Sequence, residues 1–238
     1  MNKNKFLKRA LLFVLTIGTL TMEAQNKIDT SGALNVQQQK IVIISALTAT
    51  GDLESLKKEL NSGLDAGLSI NEIKEILTQL YAYCGFPRSL NGINTFRTIL
   101  EERKTKGITD IVGKEIITNT NVTDKYEQGR KVLEILTNTK QAKPAPGFGE
   151  FAPRIDAFLK EHLFADIFEC DVLTYQQREL VTISALTATV GVEPQLQAHL
   201  GMGKNIGITE NQLLQLADLI EIYINKTQAN GIRKLLSK

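Results

Sequence analysis

The chain has 238 residues, of which 42% are hydrophobic and 23% are charged, values typical of a soluble globular protein with one or two hydrophobic cores. Its formal net charge is +2, and Lys and Arg do not cluster with aromatic residues, which argues against nucleic-acid binding. The sequence has no CxxC pair and no His/Cys cluster with the spacing of metal ligands, so a zinc site is not expected.

The N-terminus has the pattern of a secretory signal peptide. Basic residues between Lys3 and Arg9 precede an apolar run at residues 10–20, and small and polar residues follow up to Ala24. The apolar run is too short to span a bilayer comfortably. We therefore predict cleavage after Ala24 and an exported mature protein, periplasmic or secreted, with no membrane attachment.

Export would place both cysteines in an oxidising compartment. A disulfide between Cys84 and Cys170 could persist there, but the sequence does not give the distance between their Cα atoms. The bridge stays open as an alternative to two free thiols.

A duplication organises the rest of the chain. The sequence ISALTAT stands at residues 44–50 and again at residues 183–189, and the similarity extends in both directions. Each copy reads as a Gln-rich start, an apolar helix (37–50 and 176–189) and a second helix (53–66 and 194–205). The β-branched run 40–44 resembles a strand, but its partner 179–183 lies in a longer helical pattern, so both are predicted to be helical.

The third helix of the first copy, residues 69–87, is the best-defined element. Ser69 and Glu72 form a capping box, and apolar residues then recur with the spacing of one buried helical face. Gly85 is predicted to end the helix, since glycine accepts the conformation of a helix end. Glu72, Gln79 and Tyr83 lie along one edge of the apolar stripe. Glu75 points more nearly away from the stripe, and solvation is the alternative to a functional role for it.

A connector separates the copies, with a predicted helix at residues 124–136 and a Pro/Gly-rich loop at 143–149. A further helix at 154–168 is expected to dock on the second copy. The fold class is thus all-α, a pseudo-dimer in which each half covers the apolar face of the other. The predicted divisions are a signal peptide 1–24, a first repeat 25–102, a connector 103–152 and a second repeat 153–238.

The residues of both repeats resemble the carboxymuconolactone decarboxylase family. The resemblance is carried by GLSINEIKEI at 67–76, YCGFP at 83–87, RELVTISAL at 178–186 and QLQAHL at 195–200. It implies the helical fold of alkyl hydroperoxidase D-like proteins, assembly as a homo-oligomer, and acid/base chemistry on a lactone acid without a metal or an organic cofactor.

The resemblance also implies a second chemistry, that of thiol peroxidases with a CxxC pair. Here Cys84 has Pro87 in place of a second cysteine and Asn91 in place of a following histidine. A single thiol at Cys84 could act only with an external thiol reductant.

Each repeat keeps what the other lacks. The first has Glu72 and Glu75 where the second has glutamines, and the second has His199 where the first has Glu59. This suggests one composite catalytic site in which Glu72 or Glu75, with Tyr83, faces His199 as an acid/base pair.

Three functions remain open on the sequence. The first is a cofactor-free lyase-type enzyme acting on a small carboxylated or lactone substrate. The second is a thiol-dependent, peroxiredoxin-type antioxidant protein that uses Cys84. The third is a non-catalytic binding or scaffold protein. Export would separate the protein from cytoplasmic aromatic catabolism, which implies a substrate different from that of the family's decarboxylases.

Overall fold

A computed structural model describes residues 32–117 and 123–237 of the chain, and the predicted signal peptide lies outside these residues. Within them the secondary structure is helical throughout, without a β-strand. None of the described helices is both long and apolar enough to cross a membrane. The elements are α1 (Val36–Thr50), α2 (Leu53–Asp65), α3 (Ile70–Thr105), α4 (Lys125–Thr137), α5 (Phe148–Phe151), α6 (Pro153–Ala157), a π-helix (Phe158–Ile167), α7 (Tyr175–Ala188), α8 (Glu193–Asn205), α9 (Glu210–Tyr223) and α10 (Lys226–Leu236).

The two copies of ISALTAT form the centre of the molecule. They lie in α1 and α7, which pack against each other and are buried on nearly every side. A helix that is apolar all round is stable only when other helices enclose it. Ser45 and Thr48 satisfy their buried hydroxyls by donating to carbonyls one turn earlier in α1. The β-branched run in α1 is therefore helical, as the repeat predicted.

The local signals that start the helices recur in the two repeats. The first and third helices of each repeat begin with capping boxes, in which a side chain accepts from the third helical N–H and the third side chain accepts the N–H of the cap. The turn before each third helix uses a glycine with positive φ, +90° at Gly67 and +94° at Gly207. These boxes pair Asn35 with Gln38, Ser69 with Glu72, Thr174 with Gln177 and Thr209 with Gln212.

The predicted end of the third helix at Gly85 is a sharp break rather than a terminus. Gly85 has φ +79° and ψ 159°, far from helical values. The helix resumes at once, with Pro87 in its first new turn, where a missing N–H costs little. The two segments of α3 are thus joined by a bend without a loop.

The connector helix α4 and the π-helix, which follows the predicted connector, form a separate pair of helices, called the connector pair below. α4 lies against the π-helix, and their apolar side chains make a second cluster beside the main core. Gly129 sets the separation of the pair, because a Cβ there would stand 1.8 Å from the carbonyl oxygen of Lys160. The helix predicted at 154–168 is present, but it begins as α6 and continues as a π-helix from Phe158, a change that periodicity does not reveal.

The connector pair covers part of the second repeat. α4 contacts α8, and Leu136 accepts a hydrogen bond from the side chain of Asn205 at 3.0 Å. The main core contains both repeats in one continuous cluster, so each half does cover the apolar face of the other. The connector pair thus covers the surface of α8 that carries His199.

Candidate functional site

A buried carboxylate–imidazole pair joins the first two helices of the second repeat. Glu179 lies in α7 and is 0% exposed, and His199 lies in α8 and is 7% exposed. Glu179 Oε2 stands 2.8 Å from His199 Nδ1. The carboxylate partner of His199 is therefore in its own repeat.

This contact determines which nitrogen of His199 can react. An ionised carboxylate only accepts hydrogen bonds, so the 2.8 Å contact places the imidazole proton on Nδ1 when the ring is neutral. Nε2 then carries a lone pair and can accept a proton. The pair is thus arranged as an oriented general base.

Tyr83 of the first repeat completes the cluster. Its ring meets the His199 ring edge to face, with centroids 5.7 Å apart. Burial and then the charge of Glu179 raise the pKa of Tyr83 far above its ordinary value, so it stays a phenol. Two polar atoms here, Tyr83 Oη and Glu179 Oε1, are buried and have no hydrogen-bond partner among the described residues. Unpaired buried polar atoms are costly and are found where a site must interact with something else.

Glu75 does not face solvent, and this correction has a clear cause. Glu75 is 6% exposed, and its carboxylate stands 3.1 Å from Arg178 in the second repeat. Arg178 also donates to Gln79 and to the carbonyl of Cys170, while Gln79 donates back to the carbonyl of Arg178 and to Thr182. The side of the helix on which Glu75 lies is covered by the second repeat, and not by solvent. Its buried ion pair holds the repeats together beside Glu179.

A cavity of about 290 Å³ adjoins His199. It lies between α4, the π-helix, α8 and the loop that precedes α5. Most of its lining is apolar, and the polar residues include the amides of Gln141 and Gln195. The apolar wall consists of Leu133, Ala145, Phe148, Leu159, Phe164, Ala198 and Met202.

One further charged group reaches the cavity, at the π-helix. Lys160 and Asp156 form a buried ion pair, 2.6 Å from Nζ to Oδ1. Lys160 also donates to Tyr126 Oη at 2.9 Å and to the carbonyl of Ala142 at 3.4 Å, and Tyr126 donates to Asp156 at 2.5 Å. Burial raises the pKa of Asp156, but hydrogen bonds from Lys160 and Tyr126 outweigh it and leave the pKa below its ordinary value. Asp156 is therefore a carboxylate, neutralised by its lysine.

The comparison with protein families agrees with the fold and the duplication. The model of the carboxymuconolactone decarboxylase family matches the chain twice, over residues 17–97 and 153–237. The chain belongs to the carboxymuconolactone decarboxylase family. A search of curated protein sequences found none that matches it.

Within this carboxymuconolactone decarboxylase family member, the predicted site residues divide into two groups. His199 and Tyr83 come together, one from each repeat. Glu72 instead serves its capping box, accepting from the N–H and hydroxyl of Ser69, and its other oxygen accepts from Gln177 at 3.4 Å. The carboxylate beside His199 is Glu179, which the sequence reasoning did not single out. Their catalytic roles stay predictions.

The two cysteines are free thiols in this member of the family. Cys84 donates a hydrogen bond to the carbonyl of Leu80 at 3.1 Å and packs against the main core. Burial raises the pKa of Cys84 to about 11, with a smaller opposing effect of Arg88. Burial likewise raises the pKa of Cys170. A reactive cysteine needs the opposite shift.

The described residues also contain no group of three or more His, Cys, Asp or Glu side chains placed to hold a metal ion.

One signal for Glu179 was present in the sequence. Glu179 and His199 correspond in the repeat to Lys40 and Glu59, which form an ion pair of 2.8 Å. A polar residue at the same position of both buried helices, Lys40 in α1 and Glu179 in α7, indicates that each has a polar partner on the helix that follows.

Proposed function

We propose that this carboxymuconolactone decarboxylase family member is an acid/base enzyme in which His199 moves a proton on a small substrate bound in the adjoining cavity. The observation that carries the proposal is the Glu179–His199 contact of 2.8 Å at the wall of that cavity. No cofactor takes part in the proposed reaction.

The proposed step is a lyase-type proton transfer. His199 Nε2 removes a proton from a substrate carbon next to a carbonyl group. The electron pair of that C–H bond forms a double bond while the bond to a leaving group breaks. The leaving group departs with its electron pair and takes the proton back from His199. Glu179 is a positioning residue that holds the imidazole tautomer and stabilises the transient imidazolium.

Deuterium incorporation into a panel of small compounds tests this proposed proton transfer. The protein is incubated in D₂O with γ-lactones and cyclic ketones, and exchange of their acidic C–H groups is followed by proton NMR. We expect exchange of at least one compound, lowered about 100-fold or more in His199→Asn, since general acid/base groups contribute about 10² to 10⁴ to the rate.

Matched variants separate the possible causes. Glu59→Gln changes the corresponding residue of the first repeat and should leave exchange unchanged. Glu179→Gln should lower exchange and also alter the ¹⁵N shifts of His199, because an amide N–H donating to Nδ1 reverses the tautomer. No exchange with any compound, or equal exchange in His199→Asn, contradicts the proposal. Consumption of peroxide with an external thiol, lost in Cys84→Ser, would support the peroxidase alternative instead.

Location and assembly are part of the proposal. The basic and apolar pattern of residues 1–24 supports export, and family membership supports a homo-oligomer. Cell fractionation of the full-length chain and light scattering of the purified protein test these two points. A cytoplasmic, uncleaved protein contradicts the first, and a monomeric mass contradicts the second.

A further inference from the structure

The charges around the cavity restrict what it can bind. Among the described residues that line it, Lys160 and His199 are the possible cations. Lys160 is 0% exposed, and each of its three ammonium N–H groups has an acceptor: Asp156, Tyr126 and the carbonyl of Ala142. A bound carboxylate would have to take Lys160 from Asp156 and leave that buried carboxylate unpaired, which is strongly unfavourable because a lone charge would then be buried.

The other end of the cavity is unfavourable for an anion as well. His199 contacts the buried carboxylate of Glu179, and Glu179 Oε1 has no partner among the described residues. An anionic ligand held at His199 would face this carboxylate across the imidazole ring in an apolar surrounding, where like charges repel strongly. Apart from Lys160, Asp156 and His199, the wall offers the hydroxyl of Thr137, amide groups and apolar side chains, and no further charge.

From these contacts we propose that the cavity binds an uncharged, largely apolar carbonyl compound of one or two rings and rejects free carboxylates. The volume of about 290 Å³ equals roughly ten water molecules at about 30 Å³ each, which is enough for such a molecule. This inference rests on the site of the proposed function and narrows its substrate to an uncharged compound rather than a carboxylated one.

A pair of probes that differ by one carboxylate tests the inference. Binding of coumarin, an uncharged two-ring lactone, and of coumarin-3-carboxylate is measured by isothermal titration calorimetry and saturation-transfer NMR at pH 7.5. We expect coumarin to bind and the carboxylate to bind at least about tenfold more weakly, a difference of about 1.4 kcal/mol. Equal or tighter binding of the carboxylate, or no binding of coumarin, overturns the inference.

Two tryptophan variants show whether the probe enters this cavity. Ala198 lies on the exposed side of α8 and lines the cavity, so Ala198→Trp should fill it without disturbing the core. Lys58 is the corresponding exposed residue of α2, and Lys58→Trp is the matched control. Coumarin affinity should fall at least about tenfold in Ala198→Trp and stay unchanged in Lys58→Trp. Unchanged affinity in Ala198→Trp overturns the inference.

The binding experiment and the exchange experiment can contradict the two proposals independently. Binding of coumarin that Ala198→Trp abolishes, without His199-dependent exchange of any compound, contradicts the proposed proton transfer and leaves the binding inference standing. His199-dependent exchange of a carboxylated compound, with the carboxylate probe bound as tightly as coumarin, contradicts the inference and leaves the proposed proton transfer standing.

Discussion

The two repeats place different chemistry at the same position of the same scaffold. In the first repeat Lys40 of α1 contacts Glu59 of α2 at 2.8 Å, and in the second Glu179 of α7 contacts His199 of α8, also at 2.8 Å. Each pair joins the first two helices of its repeat, but the acidic partner has changed helix. The lysine ammonium has only donors, whereas the neutral imidazole keeps one nitrogen as an acceptor. A structural bridge and a potential general base therefore differ by two side chains.

The surroundings add a second difference. The connector pair, α4 and the π-helix, occurs once in the part of the chain that the structure describes, and it lines the cavity at His199 together with α8 and the loop before α5. The predictions below separate the contribution of the side chains from that of the connector, beginning with the largest effect.

The ion pair of Glu75 with Arg178, next to Glu179, should contribute strongly to the stability of the protein. Glu75→Ala leaves the guanidinium of Arg178 buried without its charge partner, so we expect the free energy of unfolding to fall by about 3–5 kcal/mol. The corresponding change in the other repeat, Gln215→Ala, removes a hydrogen bond from the N–H of Leu34 and should cost about 1 kcal/mol. Urea denaturation measures both. If both variants lose the same free energy of unfolding, the buried ion pair contributes no more to stability than the neutral hydrogen bond at the corresponding position.

Cys84 should behave as a packing residue, as does Ile224 at the corresponding position. Its pKa of about 11, against the usual 9.0, leaves the thiolate fraction at pH 8 about 100-fold smaller than that of an ordinary cysteine. Alkylation by iodoacetamide, followed by peptide mass spectrometry, should be slower by about this factor and rise with pH up to about 11. A midpoint below pH 9 would revive the thiol alternative.

Raising the pKa of a thiol has a consequence for stability with a definite sign. The folded state holds the Cys84 proton more tightly than the unfolded state, so the stabilisation is complete below pH 9 and is lost as the pH rises towards 11. Cys84→Ala should remove this part of the alkaline destabilisation. An unchanged slope between pH 9 and 11 would contradict the assignment.

Gly129 should control the connector and hence the cavity. Gly129→Ala places a methyl group 1.8 Å from the carbonyl oxygen of Lys160, so α4 and the π-helix must separate. We expect a loss of about 1–3 kcal/mol and weaker coumarin binding. Gly201→Ala in α8 is the control, since its Cβ would meet no atom within 4 Å, and it should stabilise by up to about 1 kcal/mol. Thermal denaturation and calorimetry compare the two. Coumarin affinity equal to that of the wild type in Gly129→Ala contradicts the role of the connector.

The smallest effect is expected from a reversal of the first pair. Lys40→Glu together with Glu59→His builds a second carboxylate–imidazole pair at the position that lacks the connector. Proton exchange should stay within about twofold of the wild type, because residues 40 and 59 do not line the cavity at His199. A doubling or more of the rate, abolished by changing residue 59 back, would show that the pair suffices without the connector.

Local signals in the sequence account for most of the helical framework. Ser69, Glu72 and Gly85 act within a few residues of the backbone that they shape, so their roles follow from spacing alone. The duplicated ISALTAT similarly revealed two equivalent buried helices. The family match followed from the same residues.

The site required information that spacing does not contain. Helical spacing gives the position of Glu75 on its helix, but which surface covers that position depends on the other repeat. The partner of His199 lies on a neighbouring helix, 20 residues earlier in the chain. The π-helix approaches α4 closely where Lys160 meets Gly129, and the cavity lies beside this contact between elements that are distant in sequence.

The pairing of α1 with α7 also determines when this protein can fold. Contacts such as Gln79 to Thr182 join residues 103 positions apart, so the centre of the molecule closes only after most of the chain is present. Contacts so distant in sequence slow folding, because a long loop must close before they form. Until α7 emerges during synthesis, the apolar α1 is without its packing partner. The newly made first repeat therefore exposes apolar surface until the second repeat is complete.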